Sequence, residues 1–167
     1  MPKAGIVSLI STETAIVIMT EIRFYHLQTQ TLDEVLPKLL MKAYGLDKHI
    51  IVKTADDKDA EHLNKHLWTF HPDQFLPHGS KKNGNAELQP IWLTSKDENP
   101  NEAKILFLTG GATCEDLGQF DLVCEMLNGF DDDAVKAARA RWKEYKDGGY
   151  EMTYWQQNSS GGWDKRS

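Results

Sequence analysis

Residues 31–68 read TLDEVLPKLLMKAYGLDKHIIVKTADDKDAEHLNKHLW and contain a helix pattern, a strand pattern and a second helix pattern in turn. Thr31 followed by Glu34 forms a capping box, in which two side chains satisfy free backbone N–H groups at a helix start. Apolar residues then recur at helical spacing until Gly45, a residue type that commonly ends helices. The stretch therefore predicts a helix between Thr31 and Gly45.

The apolar run HIIVKT (residues 49–54) predicts a strand, because it is short and rich in β-branched residues. Asp56 then caps a second helix, in which Ala60, Leu63 and Leu67 share one face and Trp68 lies beside that face. A strand framed by two amphipathic helices is typical of proteins in which helices cover a parallel sheet.

Outward from this stretch, similar apolar runs predict further strands. They are EIRFYHL (residues 21–27), PIWLTS (90–95), KILFLTG (104–110) and LVCEML (122–127). Because strands alternate with helices along the chain, we expect an α/β fold: a three-layer sandwich with a mostly parallel sheet and helices on both faces.

The composition restricts the classes of function. The chain has 167 residues and a formal net charge of -6, so it suits one domain and repels nucleic acid phosphates. The two cysteines, Cys114 and Cys124, lack metal-site or redox-motif spacing and favour a reducing cytoplasmic setting. No run approaches the ~20 apolar residues that cross a bilayer, so we expect no membrane association.

The ends of the chain differ in character from its middle. Residues 1–18, MPKAGIVSLISTETAIVI, precede the first strand pattern, and we expect them to be a leader or an over-extended N-terminus of unknown role. Residues 19–157 then form a single α/β domain. Residues 158–167, NSSGGWDKRS, are rich in turn formers and are expected to be a flexible C-terminal tail.

The last predicted helix carries the clearest signal for binding. Asp131, Asp132 and Asp133 suit its positive end, and Gly148 can stop it. One face carries Ala134, Val135, Ala138, Trp142 and Tyr145, and an adjacent stripe carries Lys136, Arg139, Lys143 and Lys146. Such a stripe alone is usually a solvated helix face. Beside an aromatic face, however, it suits a short acidic peptide that ends in a hydrophobic residue and a carboxylate.

The histidines at positions 62, 66, 71 and 78 raise the alternative of a metal-dependent hydrolase. His62 and His66 have the one-turn spacing of helical zinc ligands. Leu63, however, stands where the zincin motif requires a catalytic Glu. We therefore favour surface or capping roles for these histidines and expect no metal site.

A second alternative is a mononucleotide-binding α/β enzyme. Gly110 and Gly111 follow a predicted strand, as in phosphate-binding loops, but the GxGxxG and GxxxxGKS patterns are missing. A plain turn is the favoured interpretation. The GxSxG nucleophile motif is also missing from the sequence, so we expect no catalytic residues and no cofactor.

Several separate motifs, in order, resemble the chi subunit of bacterial DNA polymerase III. They are LWTFHPDQFLPHG (residues 67–79), PIWLT (90–94), NPNEAKILFLTGG (99–111) and ARARWKEYK (138–146), and the resemblance extends to YWQQ (154–157). It implies a mononucleotide-binding-like fold without a phosphate loop. It also implies a non-catalytic subunit that contacts nucleic acid only indirectly.

The resemblance further implies two partners. Members of this family bind the clamp loader through a small subunit, psi, and grip the acidic C-terminal tip of single-stranded DNA-binding protein. By motif, Arg139 and Lys143 would meet the acidic residues and terminal carboxylate of that tip, with Lys136 and Lys146 beside them. Trp68 and Trp142 would border the hydrophobic pocket, and Phe75 would face psi.

Overall fold

The computed structural model describes residues 19–71 and 73–167, and these residues form one seven-stranded sheet. The expectation of a leader at residues 1–18 lies outside the described residues. The strands are β1 (Glu21–Leu27), β2 (Ile50–Lys53), β3 (Ile91–Thr94), β4 (Ile105–Leu108), β5 (Leu122–Asn128), β6 (Glu151–Gln157) and β7 (Trp163–Lys165). Their order across the sheet is β3-β2-β4-β5-β1-β6-β7.

The sheet is parallel except at one edge. Strands β1 to β6 pair in parallel, and β7 pairs with β6 in the antiparallel sense. The first strand, β1, lies between two strands that come late in the chain, because Glu21 pairs with Leu122 on one side and with Glu151 on the other. The prediction of a mostly parallel sheet is confirmed.

Three α-helices lie in the described ranges: α1 (Leu32–Tyr44), α2 (Asp57–Thr69) and α3 (Asp132–Asp147). Their starts follow the sequence signals. The Thr31–Glu34 capping box opens α1, the Asp56 side chain accepts a hydrogen bond from the Asp59 N–H at 2.8 Å, and the Asp131 side chain accepts from the Asp133 N–H at 3.0 Å. Each cap satisfies donors that the helix itself leaves free. Among the described helices, none is both long enough and apolar enough to cross a membrane.

The helices cover opposite faces of the sheet. Successive strand side chains point to opposite faces, so Ile50 and Val52 pack with α1 and α2, whereas Ile51 joins the other layer. Ala138 and Tyr145 attach α3 to that other layer. Helices on both faces of a parallel sheet give the three-layer sandwich that the sequence predicts.

The expectation of a flexible tail at residues 158–167 is wrong. Asn158 accepts hydrogen bonds from the N–H groups of Ser160 and Gly162, at 3.1 and 2.9 Å, and so folds the NSSGG segment into a tight turn. The chain then returns as β7 along β6, and the Trp163 ring packs edge-on against Tyr25 with centroids 5.0 Å apart. The polar composition thus belongs to a turn, and the folded unit extends beyond residue 157.

Candidate partner-binding site

A pocket of about 310 Å³ lies beside α3 on the face of the sheet that this helix covers. We call it the α3 pocket. It is lined by Leu127, Ala138, Arg139, Trp142, Tyr154 and Ser167. Three of these residues come from α3, and the others come from β5, β6 and the end of the described chain.

The helix sets the geometry of one wall. Ala138 is buried against the sheet, which leaves its neighbour Arg139 exposed at the edge of the helix. Trp142 follows Ala138 by four positions and so lies about one turn further along the same face. A cation and an indole therefore open onto the same space.

Ring contacts hold the aromatic part of the pocket in place. Trp142 packs edge-on against Phe24 and against Tyr154, with centroid separations of 5.3 and 5.6 Å. Phe24 is fully buried and also stacks on Tyr154 at 6.3 Å. Aromatic pairs at these separations contribute about 0.5–1.5 kcal/mol beyond area burial. The pocket therefore has a wall whose rings are fixed by the core.

Four cations form a stripe along α3, and because one of them lines the pocket we call this stripe the cationic rim. Lys136, Arg139, Lys143 and Lys146 are all exposed on α3, and Arg139 also lines the pocket. Within residues 19–71 and 73–167, no ion pair at or below 4.0 Å involves any of these four side chains. Their charges are therefore open to an external anion.

A buried ion pair fixes α3 to the sheet. Arg141 donates to the Glu125 carboxylate on β5, and Glu125 is only 2% exposed. Burial raises the pKa of Glu125 to about 7, against the opposing effect of Arg141. The second carboxylate oxygen, Oε2, is buried without a hydrogen-bond partner in the described residues. The position of the basic helix thus depends on a charge pair that Arg141 alone satisfies.

The structure does not bring Trp68 to the α3 pocket, which corrects the expectation that Trp68 and Trp142 border one hollow. Trp68 lies in the last turn of α2, whose Leu63 and Leu67 pack on the opposite face of the sheet. Its ring lies 5.7 Å from that of Phe75 and 4.4 Å from that of His78. The helical wheel showed that Trp68 lies beside the apolar face of α2. It did not show which face of the sheet that helix covers.

Trp68, Phe75 and His78 together form a second surface, which we call the aromatic patch. Trp68 is 49% exposed and Phe75 is 66% exposed, a large apolar area for a protein surface. His78 is buried beneath them and bonds the main-chain oxygens of Leu76 and Asn64, at 2.5 and 3.0 Å. The patch is thus supported by the core while its two largest rings face outward.

The remaining histidines of the cluster make hydrogen bonds within the chain. His62 bonds the Asp33 carboxylate, and His66 bonds the Asp33 main-chain oxygen, both at 2.7 Å. The Asp73 N–H donates to His71 at 3.2 Å. Across the described residues, no group of three or more His, Cys, Asp and Glu side chains has the arrangement of a metal site.

The glycine pair after β4 forms a turn, as the sequence predicts. Gly110 and Gly111 have φ values of 63° and 82°, a region that favours glycine, and the Ala112 N–H donates to the Thr109 oxygen at 3.0 Å. Lys53, at the end of the neighbouring β2, donates to the Asp97 carboxylate and to the Thr113 oxygen. This lysine is therefore neutralised within the chain.

Sequence reasoning identified the α3 half of the pocket and missed the rest. Leu127, Tyr154 and Ser167 join it only through strand pairing across long separations, which a single sequence does not reveal. Glu125 did carry a signal, since it is the one charged residue within the apolar run LVCEML. A charge in a buried strand requires a partner, and Arg141 on the next helix provides it.

Comparison with known proteins relates the chain to a protein family, to a named protein and to a solved structure. Residues 19–153 match the family described as "DNA polymerase III chi subunit, HolC". A protein of Rickettsia prowazekii (strain Madrid E), described as "Probable DNA polymerase III subunit chi", is 34% identical over 96 residues, which are 58% of this chain and 58% of that protein. The C-terminal domain of the DEAD-box protein Dbp5 superimposes with a TM-score of 0.49 at 13% identity, over 84% of this chain and 92% of that chain.

Proposed function

The chain belongs to the DNA polymerase III chi subunit family, and from this membership we propose that it acts in DNA replication as a non-catalytic accessory subunit of that polymerase. Its work is to bind other proteins in the bacterial cytoplasm. It meets nucleic acid only through those partners, because its net charge of -6 opposes direct binding to phosphates.

We propose that one partner is the acidic C-terminal tip of single-stranded DNA-binding protein. The observation that carries this proposal is the α3 pocket, where Arg139 and the Trp142 ring line the same cavity. A hydrophobic residue at the end of the tip enters against Trp142 and Tyr154. Arg139 pairs with the terminal carboxylate, and charge-assisted hydrogen bonds of this kind contribute about 1.5–3 kcal/mol.

The other three cations of α3 act mainly before the peptide reaches the pocket. Lys136, Lys143 and Lys146 are exposed along the helix, so they attract an acidic segment and accelerate its encounter with the pocket. Exposed pairs add only about 0–1 kcal/mol each to affinity. Binding through one arginine and one aromatic wall is therefore expected to be modest and rapidly reversible.

The second proposed partner is the psi subunit, which binds the aromatic patch and connects the chain to the clamp loader. Phe75 and Trp68 supply the exposed apolar area that a folded partner can cover. This surface and the α3 pocket belong to opposite layers of the sandwich. Both partners therefore bind at the same time, and the protein tethers the polymerase to protein-coated template.

A calorimetric titration tests the proposed pocket. The probe is a synthetic peptide with several Asp residues and a C-terminal Phe carboxylate. We expect Arg139→Ala to weaken binding at least about tenfold, since it removes a charge-assisted bond of the size given above. Lys65→Ala is the matched control, because it removes an equal charge from the exposed side of α2.

Equal binding by Arg139→Ala and the wild-type protein contradicts the assignment of the pocket. An equally large loss in Lys65→Ala also contradicts it, because attraction would then depend on overall charge and not on the pocket. Retention of peptide binding by Trp68→Ala is the third expected result, since Trp68 lies in the other layer.

A further inference from the structure

A histidine outside the α3 pocket contacts one of the residues that line it. The Nδ1 atom of His26 lies 2.6 Å from the Tyr154 hydroxyl oxygen, although the two residues are 128 positions apart in the chain. Tyr154 lines the pocket together with Arg139 and Trp142. A hydrogen bond from His26 therefore reaches the surface where the peptide is proposed to bind.

The ring of His26 is confined by the backbone beside it. The Gly129 N–H donates to the Leu27 oxygen at 2.9 Å. A Cβ atom at Gly129 would lie 2.2 Å from that oxygen and 2.5 Å from Nε2 of His26. Only glycine fits this close approach, and the main chain of residue 129 consequently limits where the imidazole can move.

The titratable and charged groups that face His26 come from two elements. Tyr154 approaches from β6 and Arg139 from α3, while on the β5 side its register partner is the uncharged Leu127. Burial lowers the pKa of His26, and the positive charge of Arg139 lowers it further. Both effects favour the neutral form of the imidazole in the unliganded pocket.

The presence or absence of a proton on Nδ1 of His26, which depends on the charge and on the tautomer of the ring, decides what the tyrosine offers to a ligand. When Nδ1 carries no proton, it accepts the hydroxyl proton of Tyr154, and only oxygen lone pairs face the pocket. When Nδ1 is protonated, it donates to the hydroxyl oxygen, and the hydroxyl proton is free to point at a carboxylate. A carboxylate beside Arg139 also offsets the positive charge that opposes protonation of the ring.

We propose that Tyr154 is a specificity-determining residue that donates a hydrogen bond to the carboxylate of a bound peptide, and that His26, whose neutral ring carries its proton on Nε2 in the free protein, is the positioning residue that takes up one proton from solvent on Nδ1 upon binding. This inference rests on the proposed function of the α3 pocket. It adds a requirement that the family resemblance does not contain: affinity for the acidic peptide increases as the pH falls.

The direction of the pH effect follows from linkage. The complex binds a proton that the free protein does not, so lowering the pH favours the complex between the two pKa values of His26. If binding raises the pKa of His26 by about one, the affinity for the peptide increases by up to about tenfold. The carboxylates of the peptide do not titrate above about pH 6, because their ordinary pKa values lie near 4.

The test is calorimetry with the full chain and the same Asp-rich, Phe-terminated peptide at about pH 6 and about pH 8, in two buffers of different ionisation enthalpy. We expect tighter wild-type binding at the lower pH and net proton uptake. His26→Gln binds equally at both pH values, with no proton uptake. Tyr154→Phe keeps the stacked ring, binds about tenfold more weakly at the lower pH and also loses the pH dependence.

Further measurements show which group causes the pH dependence of binding. A peptide with a C-terminal amide in place of the carboxylate is expected to lose the pH dependence in the wild-type protein. If the wild-type protein binds with no pH dependence, or if His26→Gln retains that dependence, while Arg139→Ala still weakens binding, the His26 inference is overturned and the pocket stands. If the wild-type protein does not bind the peptide at either pH, the proposed function itself fails.

Discussion

The α3 pocket and the aromatic patch are built from similar residue types but in opposite ways. In the pocket, Trp142 packs its ring edge-on against buried Phe24 and leaves a cavity of about 310 Å³ beside Arg139. In the patch, Trp68 and Phe75 are themselves the surface, 49% and 66% exposed over a buried histidine. A cavity with a cationic rim suits a chain end, whereas exposed rings suit the side of a folded partner.

This difference shows that the presence of a tryptophan does not by itself indicate a binding site. The functional value of each indole depends on which layer of the sandwich it belongs to and on the charges near it. A variant that changes one surface should therefore leave the other surface unaffected.

The largest expected effect concerns the ion pair that holds α3, one wall of the pocket, on the sheet. Arg141→Ala removes the partner of the buried Glu125 carboxylate and should lower the free energy of unfolding by about 3–5 kcal/mol at about pH 8. The loss should be smaller at about pH 5. Chemical denaturation at both pH values measures it.

The pH dependence has a defined sign. The pKa of Glu125 is raised from its ordinary value of 4.5 to about 7 in the folded state. The folded state therefore binds more protons in this interval, and its stability falls as the pH rises through it. The double variant Glu125→Gln/Arg141→Ala is expected to recover part of the loss at about pH 8. A cost in Arg141→Ala that is independent of pH contradicts this account.

Exchanging the two indoles for alanine separates the two surfaces. Trp142→Ala should cost about 2–4 kcal/mol of stability, because the ring packs on Phe24 and Tyr154, and should abolish measurable binding of the acidic peptide. Trp68→Ala should leave peptide binding unchanged and weaken capture of purified psi. Loss of peptide binding in Trp68→Ala contradicts the separation of the two surfaces.

A single methyl group at residue 129 should disturb the pocket through His26, which contacts the pocket residue Tyr154. Gly129→Ala places a Cβ 2.2 Å from the Leu27 oxygen and is expected to cost about 1–3 kcal/mol of stability. It should also displace His26 and weaken peptide binding. Gly118→Ala is the matched control, since its Cβ meets only an Asp116 oxygen at 3.7 Å. Equal thermal unfolding curves for both variants contradict the close approach.

The smallest expected effect concerns the rim. Lys143→Ala should weaken peptide binding by only about twofold to fivefold, as expected for an exposed charge, and the loss should shrink at high salt. Binding of psi to the aromatic patch should change little with ionic strength, since apolar contacts dominate there. A steep salt dependence of psi binding contradicts the contrast between the surfaces. Titrations at about 0.1 M and about 0.5 M salt make the comparison.

Local signals in the sequence predicted most of the elements. The caps at Thr31, Asp56 and Asp131 depend on neighbouring residues only, and so does the periodicity of the helices. For the same reason the α3 half of the pocket, with Arg139 and Trp142, was predictable from helical spacing.

The missing half depends on topology. Tyr154 and His26 meet because β6 lies beside β1, a pairing that no local pattern specifies. Trp68 was assigned to the wrong surface for the same reason. The last two strands, β6 and β7, were not predicted from the sequence. For β7 the reason is that a turn and a frayed end have the same polar composition, and only the packing of Trp163 on Tyr25 distinguishes them.

The position of β1 between two strands that come late in the chain has a consequence for the synthesis of the protein. This strand is among the first parts of the domain to leave the ribosome, yet its partners β5 and β6 are translated much later. Until both emerge, the edges of β1 are unpaired and the pocket does not exist, since non-local pairing must await its partners. A nascent chain that stops before β6 therefore lacks Tyr154 and the wall of the α3 pocket that this strand provides.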